Sequence, residues 1–593
     1  MNHQTKFIKQ LLIWRYKFIS ERNFLFFLSI LIGLLSGLVS VVLKNLTFAI
    51  QNLLKKGIIF SENQLYFILP IVGLWLVFQF VKRISKEPVQ HSLSNVLFAL
   101  SKKDGLLSRK NIYYPLITAP LTVGFGGSVG LLGPAIASAS ALSSNVSRWF
   151  HVDRKTRSLL IGCAAAGAIA SIFKSPIAAI IFAIEVFSLD LTFASLLPLL
   201  IASISSVLTS YFFLGDDAIF NFTVIDKFRI RDTAFYLLLG LGTGVASIYF
   251  SKIHFKISAF FGKIKSAKAR LIIGGFAIGV MLYFIPPLYG EGFGYINNLM
   301  AGNHIEALGK TPFNSELNNI WVVIALLFGV TIFKAVAMTT TFAAGGTGGI
   351  IIPTLVMGST LGNVVAKIIN NLGFGFEVSE SNFTLVGMAG LIAGVLHAPL
   401  TAIFLIAEIT GGYQLFVPLM ITVSMSFIIS KNSLNYTIYN KELAEKGALL
   451  TQDKDKNVLT VMKLDNVIET DFIQLRPEMS LEDMLMKGVS KSSRNLFPVT
   501  NVREEFLGIV LLDDIRSVMF DQSLYHSTSV ETFMHNPPAV IIYEQDDMQA
   551  VMKKFQTSGA WNLPVLKDDK YYGFVSKSKL LTAYRNELIN FTS

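Results

Sequence analysis

The sequence predicts an all-α polytopic membrane domain of two repeats with broken helices, followed by a smaller α/β domain. Three observations carry this. The 593-residue chain is 52% hydrophobic and 15% charged, with mean hydropathy +0.54, which excludes an ordinary soluble protein. Apolar runs long enough to cross a bilayer recur at 24–42, 65–80, 159–184, 196–213, 235–250, 271–285, 321–338, 385–409 and 415–429. Finally, a two-part pattern occurs twice in the same order. Gly127-Ser128-Val129-Gly130-Leu131-Leu132-Gly133-Pro134 matches Gly346-Thr347-Gly348-Gly349-Ile350-Ile351-Ile352-Pro353, and Ser175-Pro176 through Glu185 matches Ala398-Pro399 through Glu408.

Pro134 and Pro353 are 219 residues apart, and Pro176 and Pro399 are 223 apart. Such near-constant offsets argue for one long duplicated unit. In repeated membrane proteins, Gly/Pro-broken segments at equivalent places mark a substrate site at the repeat interface, near the bilayer midplane.

The first apolar run is too long for a signal peptide, and no small-residue cleavage site follows it closely. Lys6, Lys9, Arg15, Lys17 and Arg22 precede it against the single acidic Glu21, which predicts a cytoplasmic N-terminus. The net charge of +12 fits positive-inside loops; no basic segment interleaved with aromatics suggests nucleic-acid binding. One cysteine, Cys163, excludes intramolecular disulfides and cysteine-based metal sites, and no metal is expected.

Composition changes near residue 440. The expected organisation is a basic N-terminus (1–23) and a membrane domain (24–445) with repeats at 24–215 and 233–440. A charged linker (446–457) and a C-terminal domain (458–593) follow. The tail has its own repeat: Asn495-Leu496-Phe497-Pro498-Val499 with Gly508-Ile509-Val510 echoes Asn562-Leu563-Pro564-Val565 with Gly573-Phe574-Val575. Amphipathic helical stretches flank each copy (481–489 and 513–519; 548–555 and 577–584). This order resembles a tandem pair of CBS domains, at 458–520 and 528–588, which are cytosolic regulatory modules and would place the C-terminus in the cytoplasm.

A helix that begins inside the membrane leaves its first N–H groups without intrahelical partners and carries partial positive charge there. It binds an anion without formal charge. Glycines before it admit close approach, and proline suits its first turn. Gly130-Leu131-Leu132-Gly133-Pro134 and Gly349-Ile350-Ile351-Ile352-Pro353 both read this way. Tight packing through small residues is the competing reading.

With these residues in view, positions 25–445 resemble the CLC family of chloride channels and proton/chloride exchangers, whose signatures are G-S-G-I-P, G-[KR]-E-G-P, G-x-F-x-P and a late tyrosine. Gly127 to Pro134, Gly349 to Pro353 and Thr437-Ile438-Tyr439 match in order. The resemblance implies inverted repeats in a homodimer with one pore per subunit, in the plasma (inner) membrane. It implies a central anion on the N–H groups of Ile350 and Ile351, beside Gly349, and on the Tyr439 hydroxyl. An outer anion would use the N–H groups of Leu131, Leu132 and Gly133. Tyr436 competes with Tyr439, and an interfacial tyrosine is the alternative role.

The departures matter. Leu132 stands at the gating position, where the family carries a Glu that competes with the anion and carries the proton. Val186 stands at the inner proton-site position, so that group is lost too. Gln90-His91-Ser92-Leu93-Ser94 occupies the degraded first motif, which puts His91 in place of an anion-contacting serine, with Ser92 as competitor. No Asp or Glu lies within ten residues of either glycine break. The expectation is therefore a chloride channel without proton coupling and with weak pH dependence, His91 being the one titrating residue nearby. Glu185, Glu408 and His397 read as structural.

In CBS pairs that bind adenosine nucleotides, the halves supply a Ser/Thr and an Asp. Asp514 and Ser576 match, but Leu511 and Lys579 replace their partners. An adenine nucleotide (ATP, ADP or AMP) and a purely structural role both remain open; no cofactor is required. Two alternatives stand beside the channel: an antiporter with an unrecognised proton carrier, and a transport-inactive nucleotide sensor. An enzyme is not expected, since eight scattered histidines and no HExxH motif leave no metal cluster or nucleophile–base pair.

Overall fold

The computed structural model describes residues 17–57, 67–85, 92–189, 192–215, 226–373, 375, 377–434, 436–445, 458–460 and 462–592. The linker expected at 446–457, most of the basic N-terminus and His91 lie outside them. The chain divides into two compact units, 1–445 and 446–593.

The first unit is helical. Its first half runs α1 (Glu21–Gly57), α2 (Leu69–Phe80), α3 (Ser92–Lys102), α4 (Lys110–Gly124), α5 (Leu132–Trp149), α6 (Arg154–Phe173), α7 (Pro176–Phe187) and α8 (Phe193–Leu214). The second half runs α9 (Thr233–Gly262), α10 (Ala267–Phe284), α11 (Phe293–Met300), α12 (His304–Leu308), α13 (Ile320–Ala343), α14 (Ile351–Asn371), α15 (Glu380–Leu396), α16 (Pro399–Ile409), α17 (Phe416–Ser433) and α18 (Ile438–Glu445). Among the described residues, eight helical segments are long and apolar enough to cross a membrane.

Two long apolar runs do not form single spans. The runs at 159–184 and 385–409 each break into two helices, because Lys174 and His397 adopt left-handed conformations (φ 55° for both) just before Ser175-Pro176 and Ala398-Pro399. Proline then opens the next helix, where its missing N–H costs nothing. Lys174 and His397 are 223 residues apart, so the break belongs to the duplicated unit.

The repeats hold one another at these breaks. The Glu185 carboxylate, on α7, accepts from the N–H groups of Leu400 (3.1 Å) and Thr401 (2.8 Å) and from the Thr401 hydroxyl (2.6 Å). Reciprocally, Glu408 on α16 accepts from Ile177 (3.0 Å) and Ala178 (2.8 Å). Each carboxylate thus caps the first turn of the other repeat's helix, where donors and dipole favour negative charge. Serine bonds repeat in the same way. Ser206 and Ser210 of α8 donate to the Gly167 and Ser171 carbonyls, and Ser426 and Ser430 of α17 donate to those of Gly390 and Gly394. In α14, Gly358 lies so close to α15 that an added Cβ would stand 2.5 Å from the Gly387 carbonyl oxygen, a small-residue approach typical of membrane helices.

The second unit has two sheets. Strands β2 (Leu496–Thr500) and β3 (Phe506–Leu511) pair antiparallel, with Pro498 opposite Ile509. β5 (Asn562–Lys567) and β6 (Lys570–Ser576) repeat that hairpin, with Pro564 opposite Phe574. β1 (Ile468–Glu469) joins β6, and β4 (Ile541–Ile542) runs parallel to β5. The segments leading into the repeats are exchanged: β1 pairs with the second hairpin, while His535 bridges Ile509 of the first. Val458, Met462 and Val467 accordingly pack into the core around Val551, Phe555 and Val575.

Glu185→Ala is expected to destabilise the membrane unit by about 1–3 kcal/mol, because it removes charge-assisted bonds from an otherwise orphaned helix start. A lowered Tm in detergent, matched by Glu408→Ala, checks this; unchanged melting of both variants would contradict it.

Candidate functional site

The two glycine breaks meet. Gly130 N–H donates to the Gly349 carbonyl (3.0 Å), and Gly349 N–H donates to that of Gly130 (2.7 Å), closing a one-step antiparallel bridge. The approach requires glycine: an added Cβ on Gly349 would stand 2.7 Å from the Gly133 nitrogen, and one on Gly130 would stand 2.8 Å from Ile352. Around the bridge the hydroxyls are exchanged between halves. Ser128 N–H donates to Thr341 Oγ1 (3.2 Å) and Thr347 N–H to Thr122 Oγ1 (3.1 Å). Gly126 and Gly345 precede the breaks with φ of 95° and 99°, a turn that a side chain would strain.

Helices α5 and α14 start directly after this bridge. Among the described residues, neither Leu132 and Gly133 nor Ile351 and Ile352 shows a backbone N–H acceptor. These orphan donors, with the dipole behind them, form two anion-attracting ends.

Tyr439, on α18, is buried, and its hydroxyl is bonded to the Ile350 backbone. Both residues line a cavity of about 410 Å³ with Leu93, Ser94, Gly348 and Gly349. Gly349, Ile350 and Tyr439, three of the sequence candidates, therefore share one cavity, while Ile351 follows as the first residue of α14. Tyr436 is exposed and does not line it. Ser94, on α3, lines the cavity. The first turn of α3 presents residues 93 and 94 to it.

At the other end, Leu131, Leu132 and Gly133 gather at the start of α5, and Leu132 is buried. Here the structure brings in a residue that the sequence reading missed. Glu291, 160 residues away, places Oε1 2.8 Å from the Leu131 nitrogen and accepts its N–H. The expectation of no carboxylate near the breaks holds along the chain and fails in space. Lys334, fully buried in α13, donates to the carbonyls of Leu288 (3.3 Å) and Gly290 (3.1 Å). It was visible as the single ionisable residue of a span, which is a functional signal by default. Glu291 had only its place between Gly290 and Gly292 to distinguish it. Val186 follows Glu185 on α7.

Gly126-Gly127-Ser128-Val129-Gly130 spells the G-x-S-x-G pattern of serine hydrolases, a correction to the expectation that no such pattern occurs in this chain. Ser128 Oγ is buried without a hydrogen-bond partner among the described residues, so no base attends it.

A model of the voltage gated chloride channel family matches residues 72–431, more than half of the chain. The chain belongs to that family. A CBS domain model matches residues 530–586, the second repeat of the C-terminal unit. Among curated relatives, the H(+)/Cl(-) exchange transporter ClcA of Vibrio campbellii is 27% identical over 56% of this chain and 70% of its own length. The voltage-gated ClC-type chloride channel ClcB of Citrobacter koseri is 26% identical over 55% and 74%. A slow cyanobacterial Cl-/H+ antiporter superposes with TM-score 0.61 at 20% identity, covering 72% of this chain and 98% of its own. A eukaryotic CLC transporter superposes with TM-score 0.60 at 17% identity, covering 94% and 97%. Members of this CLC family move anions across membranes; this chain is an integral multi-pass membrane protein and not an enzyme.

In the C-terminal unit the candidate nucleotide residues already have partners. Asp514 accepts from the Leu511 N–H (2.8 Å) and lies 3.4 Å from His535 Nδ1. Ser576 donates to Glu469 Oε1 (2.6 Å), whose other oxygen meets Arg494 (2.6 Å), and Lys579 donates to the Ile468 carbonyl (2.9 Å). Burial pushes the Glu469 carboxyl up, but the Ser576 hydroxyl and Arg494 outweigh it and hold the group below its ordinary value of 4.5. Its stabilisation is therefore present above that value and lost as pH falls through the lower, folded one.

Two outcomes are expected. Tyr439→Phe, which removes only the hydroxyl, and Gly349→Ala, which drives a Cβ into the Gly133 amide, should each weaken anion binding about tenfold, as read by chloride titration calorimetry. Unchanged binding in both would remove these residues from the site. Glu469→Gln should lower the melting temperature of the C-terminal unit at pH 7 and lessen its further fall as pH drops below 4.5, measured by scanning calorimetry.

Proposed function

We propose that the protein conducts chloride, or a similar monovalent anion, along a path past the two helix starts that meet at the Gly130–Gly349 bridge. The supporting observation is the two pairs of helix-start amides at 132–133 and 351–352 that show no acceptor among the described residues, with the Tyr439 hydroxyl on the Ile350 amide just before the second pair and Ser94 in the same cavity. Backbone amides bind an anion without the desolvation penalty of a fixed buried charge, which keeps binding weak enough for the ion to leave.

The leading reading is a chloride channel without proton coupling. Leu132 cannot carry a proton, and Val186 leaves no carboxylate after Glu185 for an inner transfer step. One observation favours a second reading, proton/chloride exchange: Glu291 brings a carboxylate to the Leu131 amide. A transport-inactive nucleotide sensor has less support, since Ser576 and Asp514 are engaged within the protein.

The proposal extends to a homodimer with one path per subunit in the plasma (inner) membrane. The basic residues before the first span and the CBS unit after the last favour cytoplasmic termini. An adenine nucleotide (ATP, ADP or AMP) at the CBS pair is proposed as a regulator rather than a requirement.

Purified protein in liposomes should release chloride when the membrane potential is relieved by a potassium ionophore, and an imposed chloride gradient should drive no stoichiometric proton uptake. Chloride release with fixed proton counter-movement would establish the exchanger instead. Absence of anion flux would leave the sensor reading.

A further inference from the structure

Leu131 and Ile350 are equivalent residues of the two repeats, 219 positions apart, and each immediately precedes the helix that starts at the bridge. Each amide is met by one polar side chain from a distant segment. The Ile350 amide meets the Tyr439 hydroxyl, a neutral group, and the Leu131 amide meets the Glu291 carboxylate. The first arrangement leaves room for an anion beside it. The second does not: an ionised carboxylate on this amide is itself an anion at the start of α5.

The loop carrying Glu291 is built to hold it there. Tyr289 donates its hydroxyl to the Gly124 carbonyl (2.5 Å), at the end of the helix that leads into the first glycine break. Lys334 pins the Leu288 and Gly290 carbonyls. Gly290 and Gly292 flank the glutamate with φ of 58° and 92°, and an added Cβ at 292 would strike Val356 and stand 3.9 Å from Lys334 Nζ. The charged groups facing the carboxylate are Lys334 from α13 and Lys44 from α1, with the α5 helix start; Tyr289 is the titratable neighbour on its own loop.

We propose that Glu291 is a tethered anion that competes with the permeating ion for the Leu131–Gly133 amides and yields only when it takes up a proton. One proton from the adjoining solution adds to one carboxylate oxygen. The neutral acid loses its charge-assisted bond to Leu131 N–H, swings off the amides, and an anion takes its place. Deprotonation reverses the exchange. Glu291 thus answers for the place that Leu132 cannot fill, though it comes from another element and approaches from the side.

This inference rests on the permeation reading and makes a different demand. Chloride flux through the unaltered protein should rise as pH falls, by up to about tenfold per unit while the carboxylate stays ionised, the limit for one proton. Glu291→Gln, which keeps shape and cannot ionise, should conduct faster at pH 7.5 and lose the pH dependence. Wild-type chloride binding by calorimetry, which needs no variant, should weaken with rising pH by the same factor. Flux and binding that are flat in pH for the wild type, with Glu291→Gln conducting equally, would overturn the gate and leave permeation standing. If neither protein passes chloride at any pH, the permeation reading falls and the gate with it.

Discussion

The membrane unit depends on one small contact, the two hydrogen bonds between Gly130 and Gly349. They join the repeats back to back and set the starts of α5 and α14 beside each other. No side chain fits between them, so both breaks must be glycine-rich, and the amides that follow have no helical acceptor. The geometry that allows close approach is also the one that leaves donors unsatisfied. Structure and function share one cause here: the strain of breaking a helix inside a membrane is tolerated only where the freed groups line a cavity.

The duplicated architecture uses this contact repeatedly. Glu185 and Glu408 cap each other's repeats, the left-handed Lys174 and His397 end equivalent helices, and serine pairs tie equivalent carbonyls. The carboxylates cross between the halves and cap the short helices α7 and α16, while the serine bonds tie neighbouring helices within each half. The C-terminal unit applies the same principle to strands. β1 completes the hairpin of the second repeat, and Glu469, carried by it, occupies the Ser576 hydroxyl that the sequence offered to a nucleotide.

Around the bridge the two halves are alike in backbone and unlike in chemistry. On the α14 side a phenol meets the Ile350 amide at a cavity that Ser94 also lines; on the α5 side a carboxylate held by a lysine-pinned loop meets the Leu131 amide. Duplication explains the common frame. The asymmetry lies in residues outside the duplicated motifs, Glu291, Lys334, Ser94 and Tyr439, and it is these that give the two anion-attracting ends different properties.

Much of this was legible in the sequence. The glycine breaks, their repeat spacing, the helix-starting prolines and the hairpin echoes of the tail are local patterns, because proline, glycine and hydropathy act on the backbone where they stand. They determined the two repeats, the broken helices and the candidates Gly349, Ile350 and Tyr439. Other features depend on distances between segments far apart in the chain. Only the folded chain brings Glu291 across 160 residues to Leu131, carries Ser94 of α3 to the cavity beside Tyr439, and sets Glu185 and Glu408 on the helix starts of the opposite repeat. Hydropathy and motif spacing record what a residue does to its neighbours in sequence; a carboxylate meeting an amide from another helix leaves no such record, and tertiary packing alone decides it.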